Sequence, residues 1–128
     1  MKRIFDRRRI GREGEELAAS YLKKKGYSVT AKNFTVRGGE IDVIAENETF
    51  LVFVEVKLRQ KKHTPFFGPP SRAVDGEKKR HLMHAARVFL GRYPTEKLIR
   101  FDVIEIEVGE GENPEKEITH LEDVFQPL

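Results

Sequence analysis

The chain has 128 residues, enough for one domain with one core, and its charged fraction of 35% exceeds the usual quarter. The net charge is +3 and the sequence pI about 9.2, a mildly basic balance that supports nucleic-acid binding only weakly. The absence of cysteine excludes disulfides, thiolate zinc sites and cysteine nucleophiles; without a membrane-length apolar run, or an apolar stretch after the basic N-terminus, the expected compartment is the cytoplasm, with no membrane partner.

Residues 1–10 read as a basic arm, and residues 11–128 as a single domain. Lys2, Arg3, Arg7, Arg8, Arg9 and Arg12 crowd the start, whereas Glu105, Glu107, Glu110, Glu112, Glu115 and Glu117 crowd the other end. The surface that would face phosphates is therefore polarised. From about 12 to 25, Leu17, Ala18, Tyr21 and Leu22 make the apolar stripe of a helix that Gly26 is placed to end. Glu15 lies on the buried edge of that stripe, and Glu16 aligns with Ser20 and Lys23 on the wet side. An acid in a first turn is ordinary, because the helix dipole favours it.

Tyr27 to Val36 reads as a strand interrupted at Asn33, and Gly38-Gly39 as a turn. Strands at 40–46 and 50–58 follow, joined through the polar stretch Glu46-Asn47-Glu48-Thr49. Residues 59–71 form a long basic, aromatic, proline-bearing loop with Arg59, Lys61, Lys62, Phe66 and Phe67; loops of this length are usually functional or mobile. A second helix is expected over 72–92, with Val74, Lys78, Leu82, Ala85 and Phe89 on one face. Lys78 on that apolar side either snorkels to water or directs its ammonium at a phosphate. A strand at 98–108, a turn at 109–114 and a short strand at 117–121 complete the chain. The expected architecture is α/β, a central mixed β-sheet of about five strands with a helix on each side.

The 40–58 hairpin carries charge where a buried strand should not. Val52, Val54, Val56 and Leu58 share one wholly apolar face, while Leu51, Phe53, Glu55 and Lys57 share a face that turns ionic at its end. A two-residue loop at Asn47-Glu48 would set Asp42 opposite Phe53 and Glu40 opposite Glu55. Asp42 and Glu55 then lie on one face, one diagonal apart at roughly 7 Å between Cβ atoms, where two carboxylates can share a cation. A slip of one residue would separate them. Burying carboxylates requires compensation, and two readings stand: an ion-pair cluster neutralised by Lys57, or a metal site.

Gly-Gly-Glu-Ile-Asp-Val-Ile-Ala at 38–45, followed by Val-Phe-Val-Glu-Val-Lys-Leu-Arg at 52–59, resembles the core of the PD-(D/E)XK, or restriction-endonuclease-like, nucleases. The nearest resemblance is to the YraN-like family of predicted endonucleases, similar in architecture to archaeal Holliday-junction resolvases. Gly11, Glu15, Ala18 and Leu22 resemble that family's opening helix, Lys78 and Ala86 its second helix, and Arg100-Phe101-Asp102-Val103 its later strand. The resemblance spans most of 11–105. It implies a restriction-endonuclease-like fold and endonuclease activity on DNA, with branched or damaged DNA among the substrates.

In that setting Asp42 and Glu55 would hold Mg2+ or Mn2+, and the Val56 carbonyl would add a third ligand, as in the nuclease core. Such an ion keeps several waters, so few protein ligands suffice, and it lowers the pKa of a bound water. Lys57 would orient the attacking water or stabilise the developing phosphorane charge. Glu15 would reach the metal directly or through water, and Glu40 would stand in an outer shell or be structural. Arg7, Arg8, Arg9, Arg12, Arg59, Lys61, Lys62 and Lys78 are the candidate nucleic-acid contacts. Phe66 and Phe67 would stack on bases, cap the core or form a dimer contact, so a second copy of the chain is a further candidate partner. The rival readings are a nucleic-acid-binding module with little or no cleavage and a protein-interaction scaffold. His63, His81, His84 and His120 show no metal-binding spacing, and there is no Walker loop, dinucleotide glycine motif or nucleophile elbow.

Overall fold

The computed structural model describes residues 7–60, 76–112 and 115–124, with side chains from Arg12 onward. Among the described residues, two helices and five strands follow the expected order: α1 (Arg7–Lys24), β1 (Ser28–Val36), β2 (Gly39–Glu46), β3 (Phe50–Gln60), α2 (Gly76–Arg92), β4 (Leu98–Val108) and β5 (Lys116–Leu121). One mixed sheet has the spatial order β1-β2-β3-β4-β5; the β3–β4 pair is parallel and the others are antiparallel. The parallel pair requires a crossover, and α2 lies within it. This is the α/β arrangement expected from the sequence.

β3 organises both faces, because its side chains alternate between them. Leu51 and Phe53 pack with Leu82, Ala85, Ala86 and Phe89 of α2. Val52 and Val54 pack with Ala18 and Leu22 of α1, and Val56 and Leu58 extend that side. Each helix thus covers one face of the sheet. α2 lies so close that a Cβ on Gly39 would come 2.2 Å from the His81 carbonyl oxygen. Gly26 ends α1 as expected, with φ 97° and N–H groups of Gly26 and Tyr27 donating to the carbonyls of Lys23 and Leu22 at 3.1 and 3.0 Å.

Boundaries differ from the sequence reading by more than one residue at three places. α1 begins at Arg7 rather than about 12, so it takes in the end of the 1–10 arm. β3 continues to Gln60 rather than 58, because parallel pairing with β4 runs through Arg59↔Glu107 and Gln60↔Val108. α2 is described from Gly76; positions 72–75, Val74 among them, lie outside the described residues.

The fourth difference is the hairpin register. The Asn47 Oδ1 accepts the N–H groups of Thr49 and Phe50 at 2.9 and 2.7 Å, while the Asn47 N–H donates to the Phe50 carbonyl at 3.0 Å. Asparagine folds the backbone over its own side chain here. The two-residue loop is therefore Glu48-Thr49, not Asn47-Glu48. Val43 pairs with Val54 and Ile44 with Phe53. Counting on, Asp42 falls opposite Glu55 and Glu40 opposite Lys57, which corrects the expected partners Phe53 and Glu55. Moving the loop by one residue changes register by two, so the shared face of Asp42 and Glu55 survives.

Candidate active site

Past Val43↔Val54 the β2–β3 ladder gives way to a side-chain contact. The Asp42 Oδ2 accepts the Val56 N–H at 2.8 Å. A strand residue presents its N–H and C=O along the same edge, so the Val56 carbonyl is also on the side of Asp42. Glu55, only 5% exposed, lies close enough to the Asp42 carboxyl to raise it. Asp42 is pushed up to about 9, first by burial and then by Glu55. Two acids packed together resist a second negative charge.

Two lysines meet this pair. The Lys78 Nζ lies 2.9 Å from the Glu55 Oε2. Lys57 extends from the same face of β3 as Glu55. Its proton is held less tightly than usual, owing first to burial and then to the neighbouring Lys78 ammonium, with Glu55 and Asp42 pulling the other way. Lys78 shifts upward: burial acts against its charge, but contacts with Lys57 and Glu55 outweigh it. The crossover helix thus delivers to Glu55 a lysine for which the sequence suggested either snorkelling or phosphate contact.

Glu15 is half-buried and raised by burial first, then by Glu40, against the pull of Lys32. Its charge is also felt at Asp42, where it adds to the upward shift. Glu16 is exposed and pairs with Lys32 at 2.5 Å, on the wet side as expected. Glu40 is exposed and lines a cavity of about 550 Å³ with Glu55, Lys78 and His81. Among the described residues no three Asp, Glu, His or Cys side chains are grouped to hold a metal ion. The available donors at the sheet end are thus Asp42, Glu55 and the Val56 carbonyl. This all-oxygen set fits a hard divalent ion that keeps several waters.

Of the other basic candidates, Arg59 pairs with buried Glu105 at 2.7 Å, and Arg12 is exposed. Lys61, Lys62, Phe66 and Phe67, and the side chains of Arg7, Arg8 and Arg9, lie outside the described residues.

A second polar cluster escaped the sequence reading. The Asp102 carboxylate, 1% exposed, receives Arg100 through Nε and an Nη at 2.9 Å each, His120 at 2.7 Å and the Asp123 N–H at 3.0 Å. Tyr21 meets the other ring nitrogen of His120 at 3.1 Å, and Arg100 donates to the Tyr27 hydroxyl at 2.5 Å. These contacts fasten the end of the chain's fifth strand to β4 and α1. The available signal was two opposite charges, Arg100 and Asp102, on the otherwise apolar strand face that continues through Ile104 and Ile106.

Among the described residues no helix is long and apolar enough to cross a membrane. Residues 14–106 match the family described as "Uncharacterised protein family UPF0102". A UPF0102 protein of Carboxydothermus hydrogenoformans is 45% identical over 86 residues, covering 67% of this chain and 70% of the relative. One from Symbiobacterium thermophilum is 44% identical over 103 residues, covering 80% and 85%. Another, from Caldanaerobacter subterraneus subsp. tengcongensis, is 38% identical over 130 residues, covering 98% and 100%. With the family match spanning most of the sheet and both helices, the chain belongs to the UPF0102 family.

Proposed function

We propose that this chain is a divalent-metal-dependent endonuclease of the PD-(D/E)XK kind that hydrolyses DNA phosphodiester bonds, branched or damaged DNA among its substrates. The observation that carries the reading is the crowding of Asp42 against Glu55, with Lys57 and Lys78 converging on them. A purely structural cluster gains nothing from setting two carboxyls in contact, whereas a cation site needs them so. Asp42, Glu55 and the Val56 carbonyl would hold Mg2+ or Mn2+. The bound ion would supply Lewis acidity and a more acidic water.

The chain's own residues do the rest. The Val56 N–H fixes the Asp42 carboxyl, so the ligand is oriented before any ion arrives. Lys57 lies on the same face and would orient the attacking water or stabilise charge on the phosphorus oxygens. Glu15 adds negative charge behind Asp42 and would act through water. Exposed Arg12, together with Arg7, Arg8, Arg9, Lys61 and Lys62, would hold the polymer.

The test is incubation of the wild type and Lys57→Ala with linear duplex, single-stranded and four-way-junction DNA, with and without Mn2+. The wild type should cut only with metal. Lys57→Ala should lose cleavage by roughly a hundredfold or more while its DNA affinity stays nearly unchanged. Equal losses in rate and affinity would make Lys57 a binding lysine. No cutting of any substrate with any divalent ion would put the nucleic-acid-binding module ahead.

A further inference from the structure

We infer that Lys78 is a displaceable resident cation of the acidic site: its ammonium occupies the charge position that a metal ion must take, so metal entry requires it to leave. The inference rests on the metal-site reading of Asp42 and Glu55 and adds how that site is filled and emptied.

The Lys78–Glu55 ion pair spans 2.9 Å, and the two ends are unlike. The Glu55 side chain is 6% exposed and fixed on the central strand. The Lys78 side chain is 44% exposed and stands in the first described turn of α2. A buried carboxylate without a counter-charge is costly, so the fold supplies one. A lysine is a compact point charge on a flexible stem, suited to providing that charge and then withdrawing it.

Lys57 cannot serve in the same way. It projects from β3 itself, two positions from Glu55, and shares that strand's parallel ladder with β4. Its charge stays near the site whatever the metal does. Lys78 comes from a separate element and borders the cavity with Glu40, Glu77 and His81. A divalent ion against Glu55 would repel the ammonium at contact distance. The cavity gives the stem somewhere to go, and a phosphate brought there would receive it. One lysine is therefore a fixed part of the site, and the other exchanges with the ion.

The test uses the full chain without nucleic acid. Mn2+ is titrated calorimetrically into the wild type, Lys78→Met, Lys78→Arg and Glu55→Gln. Methionine keeps the packed stem and removes the charge, and thermal unfolding checks that each variant is folded. Lys78→Met should bind Mn2+ roughly tenfold more tightly than the wild type, because the ion no longer competes with an ammonium. Lys78→Arg should show no such gain, and Glu55→Gln should bind poorly. In a second measurement, saturating Mg2+ should speed acylation of Lys78 in the wild type, since the released amine is more accessible. Unchanged or weaker Mn2+ affinity in Lys78→Met, with Glu55→Gln defective, overturns the inference and leaves the metal site standing. A wild type that binds no Mn2+ removes the metal site and the inference together.

Discussion

A buried and a half-buried aspartate, Asp102 and Asp42, set the contrast between satisfied and unsatisfied charge. Asp102 is held below the ordinary carboxylate range: burial opposes its charge, but His120, Arg100 and the Asp123 N–H outweigh burial. Asp42 goes the other way, to about 9, because burial is reinforced by Glu55. For Asp42 the folded value lies above the unfolded one of about 4, so its contribution is fully present below pH 4 and is lost as pH rises through 9. Without metal, Asp42→Asn should therefore stabilise the protein at pH 8, by on the order of 1 kcal/mol or more, and the gain should shrink toward pH 4. The asparagine side-chain oxygen can still accept the Val56 N–H. Mg2+ should raise the melting temperature of the wild type but not of the variant. Thermal unfolding at both pH values checks this, and a variant less stable than wild type throughout would show that the carboxyl pair is an asset to the fold.

At the scale of elements, the contact between β2 and α2 decides where Lys78 can reach. A Cβ on Gly39 would meet the His81 carbonyl at 2.2 Å and the Ala85 nitrogen at 3.1 Å, both helix backbone. Gly39→Ala should push α2 outward and cost about 1–3 kcal/mol. Gly14→Ala is the matched control: its nearest neighbour, the Leu58 Cβ, lies at 3.4 Å, and alanine favours the helix interior, so stability should hold or rise. Denaturant melts of the two variants check both, and equal small effects would mean that α2 is loosely seated. The same scale shows what could be read from sequence. The strands of the hairpin and the ionic end of β3 follow from period-2 alternation, and the shared face survives any even shift in register. The loop position depended on Asn47 replacing a backbone acceptor with its own side chain, which composition does not reveal. The Lys78–Glu55 and Asp102–His120 pairs join separate elements. Local pattern carries no signal for a contact that only the crossover or the sheet edge brings together.

For the whole molecule, the polarity of charge along the chain becomes a polarity around the sheet end. β3 feeds basic residues toward the site, but β4 runs acidic beside it, with Lys57 in register with Glu105 and Arg59 with Glu107. Arg59 is drawn to Glu105 at 2.7 Å, which leaves less of its charge for a phosphate. Arg7, Arg8 and Arg9 form an unbroken basic run that outnumbers its flanking acids Asp6 and Glu13, so they should carry most of the affinity that ignores base identity. Phosphate contacts release counterions, and log K falls linearly with log salt. Replacing Arg7, Arg8 and Arg9 by Ala should flatten that slope by roughly 0.7 to 0.9 for each phosphate no longer neutralised, and Arg59→Ala should change it far less. Binding titrations across a salt series, on catalytically silent Asp42→Asn protein to prevent cutting, measure both. Identical slopes for wild type and the triple variant would assign those arginines to solubility or to an intramolecular acidic partner, and would move the polymer-binding surface to the basic residues that follow β3.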